Sequence, residues 1–315
     1  MADVKFGIRV PSFPIDGSRG RQFVLQIIGF LRGLEAEFDS AWVSDHFVPW
    51  ADWERRDTDI LECLSAISFL SALFEGLDFG SIVLCSSYRN PALVAKMGAT
   101  LDALTGGRFI LGIGAGWMEE DYTEYGYDFP PAAVRIRQLE EGVKIIRKMW
   151  TGDGVTFEGE HHGVRNAHCD PKPDPPPPIM IGGGGERLTL RAVARHADWW
   201  NIANAGLEAY SHKLDVLRRH CAREGRDPDE ILLTLGNMVG VAATDEEAQR
   251  MAGASPFLGD GNMDSYIVGD PQAVAERIGA YVDIGVEHFI LRFIDFPRLD
   301  SARLFAEEVI PEFTS

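Results

Sequence analysis

Apolar positions along the chain recur in two rhythms. Short runs rich in β-branched and aromatic residues fall at 4–10 (VKFGIRV), 40–46 (SAWVSDH), 78–84 (DFGSIVL), 108–114 (RFILGIG), 178–182 (PIMIG), 198–202 (DWWNI), 231–241 (ILLTLGNMVGV) and 288–294 (HFILRFI). They predict eight strands. Between them, stretches near 21–37, 59–74, 91–104, 133–150, 186–196, 207–224, 271–284 and 300–312 carry apolar residues at i, i+3 and i+4, the spacing of one helix face. Strict alternation of the two is the pattern of parallel strands joined by crossover helices. Spread evenly with no dividing linker, it predicts an α/β fold, a closed (β/α)8 barrel occupying residues 1–315 as a single domain. An open doubly wound sheet has the same periodicity and is the rival.

Two segments exceed ordinary loop length, 152–177 and 254–270, and read as insertions. On a barrel, long loops usually belong to the face that carries the active site. The prolines at 175–178 suit an extended lead into the fifth strand.

Composition then removes whole classes of function. The 315 residues are 45% hydrophobic and 25% charged, ordinary for a soluble domain with a large core. A formal net charge of −18 repels nucleic acid and anionic headgroups, so neither is an expected partner. Any anionic ligand must be held locally, by clustered basic side chains or by N–H groups at a helix start. Cys63, Cys85, Cys169 and Cys221 show no CxxC or Cys/His ligand spacing, so reduced thiols and a cytoplasmic location are expected. The opening residues lack a signal-peptide pattern and no run of 18 apolar residues occurs, so no membrane span is expected.

Three motifs carry candidate chemistry. Asp45 and His46 close the second strand, where barrel enzymes place catalytic groups; an imidazole there can exchange a proton near neutral pH, and a neighbouring carboxylate can orient it. A packing histidine at a strand end is the competing reading. The run Gly112-Ile-Gly114-Ala-Gly116 resembles part of a dinucleotide fingerprint, but Glu119, Glu120 and Asp121 follow, and three carboxylates would repel a pyrophosphate. Its glycines instead allow a flat ligand to approach the backbone, with Trp117 either walling that pocket or filling the core. Gly182, Gly183, Gly184 and Gly185 follow a strand and precede a helix, a recipe for phosphate binding with Arg187 as counter-charge, although a close-packed glycine turn has the same sequence. His161, His162, His168 and Cys169 lack regular ligand spacing, so no metal is expected, and no nucleophile elbow, Walker loop or HExxH motif occurs.

Five ordered blocks, SAWVSDHFVPW at 40–50, the YRNPALVAKMGATLDALTGGRFILGIGAGW stretch at 88–117, RIRQLEEGVKIIRKMW at 135–150, PPIMIGGGGERLTLRAVARHADWWN at 177–201 and VGDPQAVAERIGAYVDIGVEHFIL at 268–291, together resemble the bacterial luciferase-like flavin and deazaflavin oxidoreductases, and within them the branch using coenzyme F420. The resemblance implies a luciferase-like TIM barrel with an insertion region. It also implies a tricyclic cofactor ring at the strand carboxyl ends, its phosphate near the glycine tetrad, and a non-proline cis peptide behind the ring at Ser81–Ile82, with Gly114 also beside the cofactor. By the same resemblance His46 is the proton acceptor, Asp45 contacts the cofactor, and Trp50 and Trp117 border the substrate. The related sugar-phosphate dehydrogenases carry Glu where this chain has Trp117, so the resemblance does not extend to that substrate. The implied activity is hydride transfer between F420 and a small alcohol, sugar or activated double bond, in a homodimer. An FMN-dependent monooxygenase fed by a partner reductase and a non-catalytic flavin- or deazaflavin-binding protein are the alternatives. Loops 47–58, 117–131 and 254–270, with Trp50, Trp53, Trp117, Phe129 and Phe257, are expected to shape a partly apolar pocket, and Arg187 and Arg191 to meet the cofactor's anionic tail.

Overall fold

The computed structural model describes residues 4–49, 56–258 and 265–314. Its strands, in chain order, are β1 (Lys5–Arg9), β2 (Ser40–Val43), β3 (Asp78–Ser81), β4 (Leu84–Cys85), β5 (Phe109–Gly114), β6 (Val155–Glu158), β7 (Gly163–Ala167), β8 (Ile179–Gly182), β9 (Trp199–Ala203), β10 (Leu232–Val241), β11 (Ile267–Gly269) and β12 (Val286–Phe293). The α-helices are α1 (Arg21–Arg32), α2 (Cys63–Ser71), α3 (Pro91–Thr105), α4 (Glu119–Glu124), α5 (Ala132–Thr151), α6 (Thr189–His196), α7 (Leu207–Glu224), α8 (Asp245–Ala254), α9 (Pro271–Val282) and α10 (Asp300–Glu308). Parallel pairing runs β1, β2, β3, β5, β8, β9, β10, β12, and β12 returns to β1. That last pairing closes a (β/α)8 barrel and excludes the open sheet. β4 continues β3 after a break and pairs with β5, while β11 joins the far end of β10.

All eight expected strands and helices are present, with ends that differ by a few residues. The departures lie between them. The 152–177 segment contains an antiparallel hairpin of β6 and β7, tied to α5 because the Glu141 carboxylate accepts the backbone N–H groups of Glu160, His161 and His162. It runs from the C-terminal end of α5 to the start of β8, and therefore leaves the barrel at the face opposite the strand carboxyl ends. The expectation that it borders the active site is corrected by that connection. α4 and α8 fall where loops were expected; both begin with three acidic residues that complement the helix N-terminus, and neither is long enough to show a clear apolar period.

Period-two alternation sorts each strand between the two sides of the wall. Phe6, Ile8, Ala41, Phe79, Leu111 and Leu291 join the outer core under the helices, whereas Trp42, Ile82, Ile110, Met180 and Ile290 fill the barrel. Trp42 has room because Gly7 and Gly80 flank it, where a Cβ would collide with its ring. The same inward parity that places Gly7 and Ile290 inside carries Arg9 and Arg292 inward two residues later.

Below this layer, the Trp42 indole N–H donates to Ser40 Oγ at 2.8 Å, and Ser40 Oγ lies 2.8 Å from His288 Nε2. Burial pushes the His288 pKa down to about 4, with Asp39 opposing and Lys5 assisting more weakly. The neutral ring accepts the Ser40 hydroxyl proton at Nε2. An unfolded histidine titrates near 6.5, so between these values the unfolded chain binds more protons. Stability is therefore expected to be full above pH 6.5, to fall as pH drops toward 4 and to level off below, with roughly 3 kcal/mol at stake for this group. Urea midpoints at pH 7, 5.5 and 4.5 check this, and His288→Gln should flatten the slope.

Candidate active site

At the carboxyl ends of the strands lies a cavity of about 620 Å³, lined by residues from all eight barrel strands or the loops after them, among them Arg9, Asp45, His46, Ile82, Gly114, Trp117, Gly182, Asn201, Met238 and Arg292. The position follows from the fold: strand ends and the loops after them converge on this face.

Asp45 and His46 both line the cavity, but they do not act on one another. The His46 imidazole is held through Nδ1 by Asp121, at 2.7 Å to Oδ2. The other oxygen of Asp121 accepts the N–H groups of Phe47 at 2.8 Å and Val48 at 3.1 Å. Burial alone would raise the Asp121 pKa, yet the His46 hydrogen bond and charge, with the two N–H groups, hold it below the usual carboxylate range. It therefore remains ionised and accepts a hydrogen bond from Nδ1–H, which fixes the tautomer. The expectation that a sequence neighbour orients His46 is corrected: the orienting carboxylate stands 75 residues away, in the acidic run read as hostile to a phosphate.

Asp45 is buried and committed elsewhere. Arg89 holds it bidentately, Nη1 to Oδ2 at 2.8 Å and Nη2 to Oδ1 at 2.9 Å, and the Cys85 N–H donates to it at 2.9 Å. Arg89 also bridges to Glu62, whose carboxylate caps α2. The pairs join the ends of barrel strands 2 and 3, so Asp45 frames the cavity through a fork with no spare geometry.

The third strand breaks between β3 and β4. A cis peptide bond is present, at Ile82–Val83, one residue later than the expected Ser81–Ile82. Ile82 and Val83 line the cavity. Ser81 does not: parity turns it toward the next strand, where its hydroxyl donates to the Gly112 carbonyl at 2.7 Å. Ser81, expected beside the cofactor through that peptide, is one residue removed from the cis bond and outside the lining. Across from this break Gly114 and Gly182 face Val83, and a Cβ at either would approach its methyl groups to 2.8 Å.

Gly182, Gly183, Gly184 and Gly185 all line the cavity, as does Thr189 at the start of α6. The helix begins at Thr189, later than the sequence pattern suggested, because Glu186, Arg187 and Leu188 form a turn. That turn carries Arg187 to the exposed surface, outside the cavity lining, and Arg191 does not line it either. The counter-charge assignment to Arg187 is corrected accordingly. Glu186 is itself occupied, accepting Lys213 Nζ at 2.6 Å and lying 3.0 Å from the His212 ring.

The arginines that do line the cavity are Arg9, Arg135 and Arg292. Arg135 lies over the Phe129 ring at 4.1 Å, and Arg292 over Phe257 at 3.7 Å. Phe129 and Phe257 thus support cations from behind. Trp117 is 65% exposed and meets His46 edge to face at 5.6 Å, which places it on the rim and not in the core. Trp50 and Trp53 lie outside the described residues. The signal that sequence reading passed over was a charge inside a strand buried on both faces, Arg9 in VKFGIRV and Arg292 in HFILRFI. Arg89 and Asp121 carried no such signal.

On the opposite face, His168 comes within 4.8 Å of Asp153 and Asp170, all exposed, with Lys172 Nζ 3.0 Å from Asp153. His161 and His162 lie against Glu141, and Cys169 is buried beside Ala95. All four cysteines are free and buried.

Comparison with known proteins agrees with this architecture. Two proteins named F420-dependent glucose-6-phosphate dehydrogenase, from Microbacterium testaceum and Kineococcus radiotolerans, are each 30% identical to the chain over 308 and 309 residues, covering 88% of it and 89% of themselves. An F420-dependent secondary alcohol dehydrogenase, solved with an F420-acetone adduct, superposes with a TM-score of 0.83 at 20% identity, covering 99% of this chain and 100% of its own, which establishes the shared fold. The sequence profile of the luciferase-like monooxygenases matches residues 27–265, and the chain belongs to that family.

Proposed function

We propose that the protein is an F420-dependent oxidoreductase that exchanges a hydride between the deazaflavin and a small alcohol, sugar or activated double bond. The observation that carries this reading is one cavity holding both a glycine cradle and a histidine fixed by a buried carboxylate. The relatives' names favour F420 over FMN. No described helix is long and apolar enough to cross a membrane. The reading extends to a cytoplasmic enzyme, supported by the four free cysteines, and to a homodimer, the commonest closed assembly.

The residues present fit such a cofactor. Gly114, Gly182 and Gly184 line the cavity, and because a Cβ at any of them would press on Val83 or Ile202, these strand ends stay bare of side chains where a flat ring and its first phosphate would lie. The N–H of Gly183 is spent on the Asn201 carbonyl, so the backbone N–H groups of Gly184 and Gly185 would hold that phosphate, with Arg135 in the same lining as a candidate for the anionic tail. When bound, F420 supplies the hydride-exchanging ring. The chain's own residues do the rest. Asp121 accepts the Nδ1–H hydrogen bond, so His46 exchanges the substrate's proton at Nε2. Ile82, Val83 and Ala115 exclude water from the reacting face.

A fluorescence titration with F420 and, in parallel, FMN tests the reading. Tighter binding of F420 is expected; preference for FMN would move the protein to oxygen-dependent chemistry with a partner reductase, and binding without turnover would make it a carrier. Gly183→Asp is expected to abolish binding, but Gly183 has φ 126°, so any side chain there is strained. Gly184→Asp avoids that backbone strain, and its comparison with Gly184→Asn, which presses equally on Ile202, isolates the charge: at least tenfold weaker F420 binding in the Asp variant is expected from the carboxylate's repulsion. Unchanged affinity would remove the phosphate from the tetrad.

A further inference from the structure

The cavity holds a pair of charges that proton exchange at His46 does not use. Arg9 and Arg292 stand on adjacent strands, one position beyond the paired Ile8 and Leu291, and both side chains line the wall. Arg292 is 2% exposed, and its Nε and Nη2 have no hydrogen-bond partner among the described residues. Arg9 reaches only a neutral acceptor there, Ser44 Oγ, at 3.3 Å from Nε and 3.1 Å from Nη2. No carboxylate among the described residues pairs with either guanidinium.

A buried guanidinium beside a half-buried one is costly unless an anion completes the pair. Phe257 and Phe13, 3.7 and 5.5 Å from the Arg292 guanidinium, offer their ring faces, but a ring face satisfies no in-plane N–H donor. Burial pushes the pKa of Arg9 down to about 10 and that of Arg292 further, the latter also through the charge of Arg9. The strand order also separates this pair from the glycine cradle. Arg9 and Arg292 belong to β1 and β12, the tetrad follows β8, and β8 is separated from β1 by three strands on either path around the barrel. Ser44, which Arg9 holds, stands two residues before His46.

We propose that Arg9 and Arg292 form an anion subsite, and that the substrate exchanging its proton with His46 carries a carboxylate or phosphate there. This rests on the oxidoreductase reading for the word substrate, but the anion site itself can be tested without it. Planar guanidinium forks suit either oxyanion, bound by two parallel hydrogen bonds.

Thermal unfolding of the whole chain, at constant ionic strength, is followed against inorganic phosphate and against acetate, for wild type, Arg292→Met, Arg9→Gln and Gly184→Asp. Wild type and Gly184→Asp are expected to show a saturable rise in Tm with at least one anion, and the stronger response identifies the group. In Arg292→Met the apparent anion affinity should fall at least tenfold, while the anion-free Tm rises because an unpaired buried charge is gone. Non-specific salting effects would persist in all four proteins. No saturable response in wild type, or an undiminished one in Arg292→Met, overturns the proposal. So does loss of the response in Gly184→Asp alone, which would put the anion at the tetrad. Should Arg292→Met fail to fold, Arg9→Gln carries the same expectation. F420 titration of Arg292→Met should match wild type; weakened cofactor binding would assign the pair to the cofactor and overturn the substrate subsite. If wild type binds neither F420 nor FMN, the oxidoreductase reading fails while the anion result stands.

Discussion

Alanine at His46 is expected to lower turnover by about 10²-fold or more while leaving F420 affinity nearly intact, because the imidazole moves a proton and does not cradle the cofactor. Asparagine at Asp121 should lower it comparably without touching the ring. Its amide oxygen must stay on the N–H groups of Phe47 and Val48, which turns the amide NH₂ toward His46 Nδ1. Nδ1 then accepts, the ring proton moves to Nε2, and Nε2 loses the lone pair needed to receive a substrate proton. Nitrogen-15 NMR of the imidazole reads the tautomer directly, independent of any substrate: Nδ1–H in the wild type and Nε2–H in Asp121→Asn. Wild-type turnover in His46→Ala across the pH range, or an unchanged tautomer in Asp121→Asn, would remove the assignment.

Methionine at Arg89 is expected to destabilise the protein by about 3–5 kcal/mol, the cost of stranding a buried carboxylate, and to lower Tm by roughly 5–15 °C. Asp45 would keep only the Cys85 N–H, and Glu62 would lose its cation. Adding Asp45→Asn should restore part of the loss, since a neutral amide is cheaper to bury than a charge. Additive losses in the double variant, measured by urea unfolding, would show that the fork is not what holds Asp45. Arg89→Met also tests the frame: if the fork joins the ends of strands 2 and 3, the variant should weaken F420 binding even though Arg89 does not line the cavity.

His46 could be read from the sequence because strand position and residue type coincide, and the glycine tetrad because four glycines after a strand have few other uses. Asp121 could not. Three acidic residues in a row look the same whether all face solvent or one turns inward, and only the packing of α4 against the second strand's end turns one onto His46. Arg187 failed for the converse reason: proximity in sequence suggested a counter-charge, and three residues of turn before α6 send it to the surface. The cis bond lies one residue later than the family resemblance placed it, and period-two alternation could not correct that, since it does not show where a strand breaks.

Periodicity alone determined the eight strands, the eight helices and their order, because burial on one helix face or within a two-sided strand imposes its own repeat on the sequence. Local chemistry determined which strand ends could do work. Closure of β12 on β1, the pairing of His46 with Asp121 and of Asp45 with Arg89, and the meeting of Arg9 with Arg292 were decided by tertiary structure, since each joins groups distant along the chain that become neighbours only when the barrel's curvature brings strand ends together.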